Sequence, residues 1–174
     1  HATHPVMLAL MPHVKDYGIE AHHLLSVIDG CQMDLTQTRY LDYPGLQRYC
    51  HLVAGVVGEV AAKIFGQSDP QTTQYAHTLG LAFQLTNVLR DVGEDAGQGR
   101  IYLPLEELAR FRVSEQEILE ARPGSGFRSL MTFEAGRAAT RYAAAIPPRE
   151  DLKALLPARA MARIYRCILR KLEH

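Results

Sequence analysis

Apolar residues recur along this chain at intervals of three and four, the spacing of one face of an α-helix, and no run alternates like a strand between hairpin turns. The pattern predicts an all-α protein. A first helix opens with Pro5 in its initial turn, carries Val6, Leu10 and Val14, bends at Pro12 and stops at Gly18. A second sets Ala21, Leu24, Leu25 and Ile28 on one stripe, continues towards Met33 and Leu35, and ends before Asp42-Tyr43-Pro44-Gly45. A third runs from that turn through Leu46, Tyr49, Cys50, Val53, Val57, Val60, Ala61, Ile64 and Phe65 to a stop at Gly66. Its interior glycines, Gly55 and Gly58, each cost up to about 1 kcal/mol relative to alanine, which predicts that another backbone or a ligand comes close there.

A fourth helix takes Ser68 or Asp69 as its N-cap and Pro70 in its first turn, and reaches Asp91 or beyond. After Ala96-Gly97-Gln98-Gly99, the segment Arg100-Ile101-Tyr102-Leu103-Pro104 leads into a short helix over 105–111. Ser114 and Glu117 form a capping box that starts another. A longer helix carries Phe127, Leu130, Met131, Ala138 and Tyr142 and stops at Pro147-Pro148, and a last one has the stripe Met161, Ile164, Tyr165, Ile168 and Leu172. No repeat or linker divides the chain, so its 174 residues read as a single domain.

Composition narrows the function. Nineteen basic and nineteen acidic residues give a net charge of zero, so no global field attracts nucleic acid, and phosphate recognition must come from a local cluster. The three cysteines, Cys31, Cys50 and Cys167, lack metal spacing and read as reduced core thiols of a cytoplasmic protein. No run approaches the roughly 18 uncharged apolar residues that a membrane-spanning helix needs.

The fourth helix carries the chemistry. Gln84, Asn87, Asp91 and Asp95 stand at i, i+3, i+7 and i+11, which at about 100° per residue gathers them into one polar stripe. That stripe emerges from an apolar stretch over 79–89 in which Leu81, Phe83, Leu85 and Val88 take the other sides. Two aspartates four apart suit a hard cation such as Mg²⁺, with positions left for phosphate oxygens, and Arg90 and Arg100 are placed to bind a diphosphate. By itself, the aspartate pair reads rather as a solvated helix end. Tyr49 by itself reads rather as a core tyrosine whose hydroxyl finds one partner.

The motifs together resemble a known family. Tyr49-Cys50-His51-Leu52-Val53-Ala54-Gly55-Val56-Val57-Gly58 is similar to a signature of the squalene/phytoene synthases, and the segment 80–95 resembles their second aspartate-rich signature. Arg100-Ile101-Tyr102-Leu103-Pro104 looks like the element that follows, and Ala162-Arg163-Ile164-Tyr165 like a late helix. Ile28-Asp29-Gly30, Met33-Asp34-Leu35 and Arg39-Tyr40 are similar to the bacterial presqualene diphosphate synthase branch.

The resemblance implies an isoprenoid-synthase-type helical bundle around a central apolar cavity and a Mg²⁺-dependent head-to-head condensation of two farnesyl diphosphates to presqualene diphosphate or squalene. Phytoene synthesis from geranylgeranyl diphosphate and a non-catalytic scaffold are the alternatives. It makes Asp91, Asp95 and Asn87 metal ligands, with Gln84 assisting. Arg90, Arg100, Tyr102 and Tyr165 are implied near the diphosphates, Tyr49 by the reacting carbons, and Val53, Val57 and Gly58 along the prenyl tunnel. Water-insoluble products imply peripheral contact with a membrane. The family's first aspartate-rich motif has no counterpart upstream of Ile28, and Asp29 and Asp34 do not have its spacing. The chain is therefore expected to be a partial bundle, without its N-terminal helices and C-terminal tail and with half of the metal site.

Overall fold

The computed structural model describes residues 3–172. Helices α1 (Pro5–Asp16) and α2 (Ala21–Thr36) come first, then a rod made of α3 (Tyr43–Cys50), a π-helical turn (His51–Gly55) and α4 (Val56–Phe65). Helix α5 (Gln71–Arg90) runs back along the rod, followed by α6 (Val92–Gly97), α7 (Leu105–Arg110), α8 (Glu115–Leu119), α9 (Ser125–Ala144) and α10 (Leu156–Leu172). Among the described residues the protein is all-α. The one extended pairing is an isolated parallel bridge between Arg39 and Ile101.

Helix α5 is the centre of the molecule, packed by α4, the π-turn, α9 and α10. Its approach to the rod rests on glycines. A Cβ on Gly58 would collide with the Ala76 carbonyl, and one on Gly80 with the carbonyl of Ala54, while one on Gly55 would lie 2.7 Å from the His77 ring. Backbone therefore meets backbone across α4 and α5. On the other side of α5, Ala82 and Leu85 pack among Leu130, Ala135, Ala138 and Tyr142 of α9. Thr86 spends its one hydroxyl proton on the Ala82 carbonyl (2.8 Å), so Tyr142 is the donor in the 3.0 Å bond between their hydroxyls.

Several sequence expectations shift. The third helix is interrupted: the π-turn sends the Val56 amide to the His51 carbonyl, five residues back. The anticipated stripe of α2 faces outward, with Leu25 and Ile28 each 58% exposed and Leu35 83%. Instead, Gly30 lets α2 settle on Leu52 and Val53. On α10, Met161 and Ile164 are exposed, and Ala158, Ala162, Tyr165 and Leu169 face the core, because small residues allow the helix to lie close. Only Cys50 is a core thiol, pushed up to about 12 by burial; Cys31 and Cys167 are exposed.

The start of α5 is secured from far along the chain. Asp151 accepts from the amides of Ser68 (2.9 Å) and Asp69 (3.0 Å) and from the hydroxyls of Thr72 (2.6 Å) and Ser68. The Ser68 and Thr72 hydroxyls hold its carboxyl well below the usual carboxylate range. Gly66, at φ 86°, ends α4 and turns the chain into this anchor.

Gly58→Ala and Gly80→Ala are each expected to lower unfolding free energy by about 1–3 kcal/mol, since a rigid carbonyl stands where the methyl would go. Gly136→Ala in α9, with nothing within 4 Å of the new methyl, is expected to be neutral or stabilising, both measured by denaturant titration. Asp151→Asn is expected to lower the thermal midpoint at pH 7. A depressed carboxyl stabilises the fold above its unfolded value of 3.8 and loses that contribution as pH falls, so the gap to wild type should close on acidification.

Candidate active site

The sequence-anticipated residues fall into three neighbouring groups. The first is an apolar groove of about 200 Å³ between the rod, α5 and α10, lined by Val53, Val57 and Gly58 on one wall and Phe83, Gln84 and Asn87 on the other. It is not the widest depression. One of about 580 Å³ lies between α1 and α2, but no carboxylate or amide side chain lines it. The groove combines an apolar wall with convergent amide groups, as ligand sites do.

Asn87 donates its amide to Gln84 Oε1 at 3.2 Å, which leaves Asn87 Oδ1 buried without a partner. Such an orphaned acceptor costs about 1–3 kcal/mol. An N–H, an O–H or a cation would satisfy it.

The second group continues the polar stripe. At Asp91 the helix breaks (φ −98°, ψ 8°), yet the Asp91 amide still reaches the Asn87 carbonyl (2.9 Å) and Asp95 the Asp91 carbonyl (2.8 Å), so the stripe carries across into α6. Arg90 grips Asp91 through two 2.7 Å hydrogen bonds, and Tyr165 adds to the hold on Arg90. The Tyr165 ring also packs 4.6 Å from that of Phe83, joining this group to the groove. Burial, then the charges of Asp91 and Glu94, push the Asp95 carboxyl up, with Arg100 opposing and Asp34 adding to the effect.

This donor set suits a hard divalent cation: an unpaired amide oxygen and a carboxylate crowded by others of its own sign. It would supply one face of such a site. Among the described residues, no three His, Cys, Asp or Glu side chains converge to complete one.

The third group surrounds a residue that motif reading set aside. Tyr49 donates to Asp34 Oδ2 at 3.0 Å and Tyr102 to Asp34 Oδ1 at 2.8 Å. Arg100 donates to the Asp34 carbonyl at 2.5 Å and pairs with its carboxylate at 3.6 Å. Tyr40, Tyr49 and Tyr102 form a triangle with ring centroids 5.3–5.7 Å apart. Tyr49 is thus turned towards Asp34 and does not line the groove.

The Arg39–Ile101 bridge builds this group. Ile101 donates to the Thr38 carbonyl (3.1 Å) and Leu105 to that of Tyr40 (2.9 Å), drawing the 100–104 segment beside the end of α2. Asp34 and Tyr40 had one sequence signal, their place in the upstream segments that resemble the family. Nothing in their local spacing marked them.

The squalene/phytoene synthase family model matches residues 1–174. The chain belongs to the squalene/phytoene synthase family. It is 38% identical to a 15-cis-phytoene synthase of Synechococcus elongatus over 95% of this chain and 58% of that protein. It is 36% identical to phytoene synthase 1, chloroplastic, of Arabidopsis thaliana over 95% of this chain and 41% of that one. The chain therefore spans about half the length of the curated relatives it matches. Among solved structures, it resembles a squalene synthase from Alicyclobacillus acidocaldarius with a TM-score of 0.80 and 26% identity, over 99% of this chain and 64% of that one. A dehydrosqualene synthase aligns with a TM-score of 0.78 and 29% identity, over 95% of this chain and 59% of that one. The family is one of prenyltransferases and is generally dependent on divalent metal.

Asn87→Leu, which replaces the orphaned amide by hydrocarbon of similar size, is expected to raise stability by about 1 kcal/mol in the absence of divalent cations, measured by urea unfolding.

Proposed function

We propose that this protein takes part in head-to-head condensation of two identical allylic prenyl diphosphates, as a Mg²⁺-dependent synthase of the squalene/phytoene type. The observation that carries the reading is the apolar groove lined by the amides of Gln84 and Asn87, one helical turn before Asp91 at the end of the same helix. A hydrocarbon tail suits the groove and a metal-bound diphosphate that helix end. Geranylgeranyl diphosphate is the favoured substrate, because relatives at 34–41% identity carry the name phytoene synthase. Farnesyl diphosphate is the second reading, supported by the squalene and dehydrosqualene synthase structures at 26% and 29%.

In this reading Asp91, Asp95 and Asn87 Oδ1 hold Mg²⁺, which when bound neutralises charge on the departing diphosphate. Arg90 and Arg100 donate charge-assisted hydrogen bonds to diphosphate oxygens, so Arg90 exchanges its grip on Asp91 for one on substrate. Val53, Val57 and Phe83 keep water from an allylic cation, which water would quench to an alcohol. Gly58 leaves room for the chain, and Tyr165 braces Arg90 against Phe83. Tyr49 and Tyr102 present electron-rich oxygens and rings near the developing positive charge.

The described residues are read as part of one helical catalytic domain. A long hydrocarbon product needs an apolar phase to enter, so the reading includes peripheral contact with a membrane. No helix among the described residues is long and apolar enough to cross one. Nucleic acid has no place in it.

The test is incubation of the enzyme with Mg²⁺ and radiolabelled C15 or C20 diphosphate, beside Asp91→Ala. A C30 or C40 product whose rate falls by about 10²–10³ in the variant is expected. No product from either substrate would favour a non-catalytic scaffold instead.

A further inference from the structure

Asp34 sits in the last turn of α2, where the helix dipole disfavours an anion by about 0.3–1 kcal/mol and where no basic residue of the helix offsets it. Helix stability therefore gives no reason for a carboxylate there. Its partners do: two phenols and a guanidinium from two other stretches of chain converge on this one residue.

We propose that Asp34 is a positioning residue of the active site, which pins the Tyr49 and Tyr102 hydroxyl protons on its two carboxylate oxygens and aims Arg100 at the diphosphate. A phenol has a single proton. With that proton committed to Asp34, the remaining lone pairs of Tyr49 can only accept, so the buried phenol, four residues before Val53 of the groove, is a fixed, electron-rich dipole. A neutral partner in place of Asp34 lets the hydroxyl rotate and turn its proton the other way, which reverses the dipole. The 5.3–5.7 Å ring triangle leaves the phenols little other freedom, so the carboxylate decides where the protons go.

Arg100 bears the same mark. One of its terminal nitrogens is spent on the Asp34 carbonyl, while Nη1 is buried with no hydrogen bond, 3.6 Å from the carboxylate. A guanidinium anchored on the Asp34 carbonyl, whose Nη1 has only this 3.6 Å ion pair, keeps hydrogen-bonding capacity for a second anion. Asp34 thus links a fixed phenol dipole behind the groove to the guanidinium proposed for the leaving diphosphate.

The inference rests on the prenyl synthase reading, and the experiment separates the two. Asp34→Asn, Tyr49→Phe and the double variant are assayed for condensation with Mg²⁺ and the C15 and C20 diphosphates, with thermal unfolding and ultraviolet titration of the tyrosines in parallel. Asp34→Asn is expected to lower kcat by about 10–100-fold, as loss of a supporting partner does in active sites. The double variant is expected to lose less than the product of the two single losses, because Asp34 acts in part through Tyr49. Loss of the carboxylate is also expected to bring the titration of the buried phenols down in pH, whatever the enzyme's activity. Rate losses that multiply in the double variant, or an unchanged kcat in Asp34→Asn, would overturn the proposal. So would phenols whose titration does not move. If Asp34→Asn does not fold, Asp34→Glu keeps the charge but shifts it by one methylene, and a kcat equal to wild type in that variant overturns the proposal equally. A wild-type enzyme that makes no product sinks the function reading and the proposal with it, even where the phenol titration confirms the hydrogen bonds.

Discussion

Two helices can lie backbone to backbone only where neither places a side chain between them, and the site depends on that contact between α4 and α5. Gly58 against the Ala76 carbonyl and Gly80 against that of Ala54 fix the register of the two helices. That register decides which residues share the groove: Val53 and Val57 from the rod face Phe83, Gln84 and Asn87 from α5. One helical residue of rotation is about 100°, enough to turn the amides into the core and the leucines into the groove. The glycines are therefore specificity devices as much as packing devices. Their poor helix propensity is offset by the closeness they allow.

Around this contact, the protein holds its charges in place before any ligand arrives. Asp91 is tied to Arg90, Asp34 to Arg100 and two phenols, and Asp151 to the free amides at the start of α5. A further ionic cluster serves structure alone: Arg137 bridges buried Glu107 and Glu134 at 2.7 and 2.9 Å and lies over the Tyr43 ring, with burial pushing Glu134 up to about 7. The contrast with the groove is informative. Structural charges are closed on themselves, whereas Asn87 Oδ1 has no hydrogen-bond partner and Arg100 Nη1 has only an ion pair of 3.6 Å.

The helical class, most element positions, the capping box at Ser114 and Glu117 and the helix stop at Gly66 were all legible in the sequence, because each depends on neighbours within a few turns of chain. The polar stripe of α5 was legible for the same reason, since helical periodicity alone aligns Gln84, Asn87 and Asp91. Less legible was which apolar stripe a helix buries. On α2 and α10 the exposed Leu25, Ile28, Met161 and Ile164 read as core, but small residues, Gly30, Ala158 and Ala162, set the packed faces.

By itself, then, the sequence determined what is local: where helices start and stop, which side chains share a helix face, and which motifs carry the family resemblance. Tertiary structure alone decided which faces meet and which distant residues become partners. Asp34 gained its two phenols only because an isolated bridge between Arg39 and Ile101 laid a loop beside the end of α2. Asp151 gained the amides of Ser68 and Asp69, just ahead of α5, from more than eighty residues away. Hydrogen bonds of that reach leave no periodic trace in a chain, since their geometry is set by the sum of all the packing between their ends.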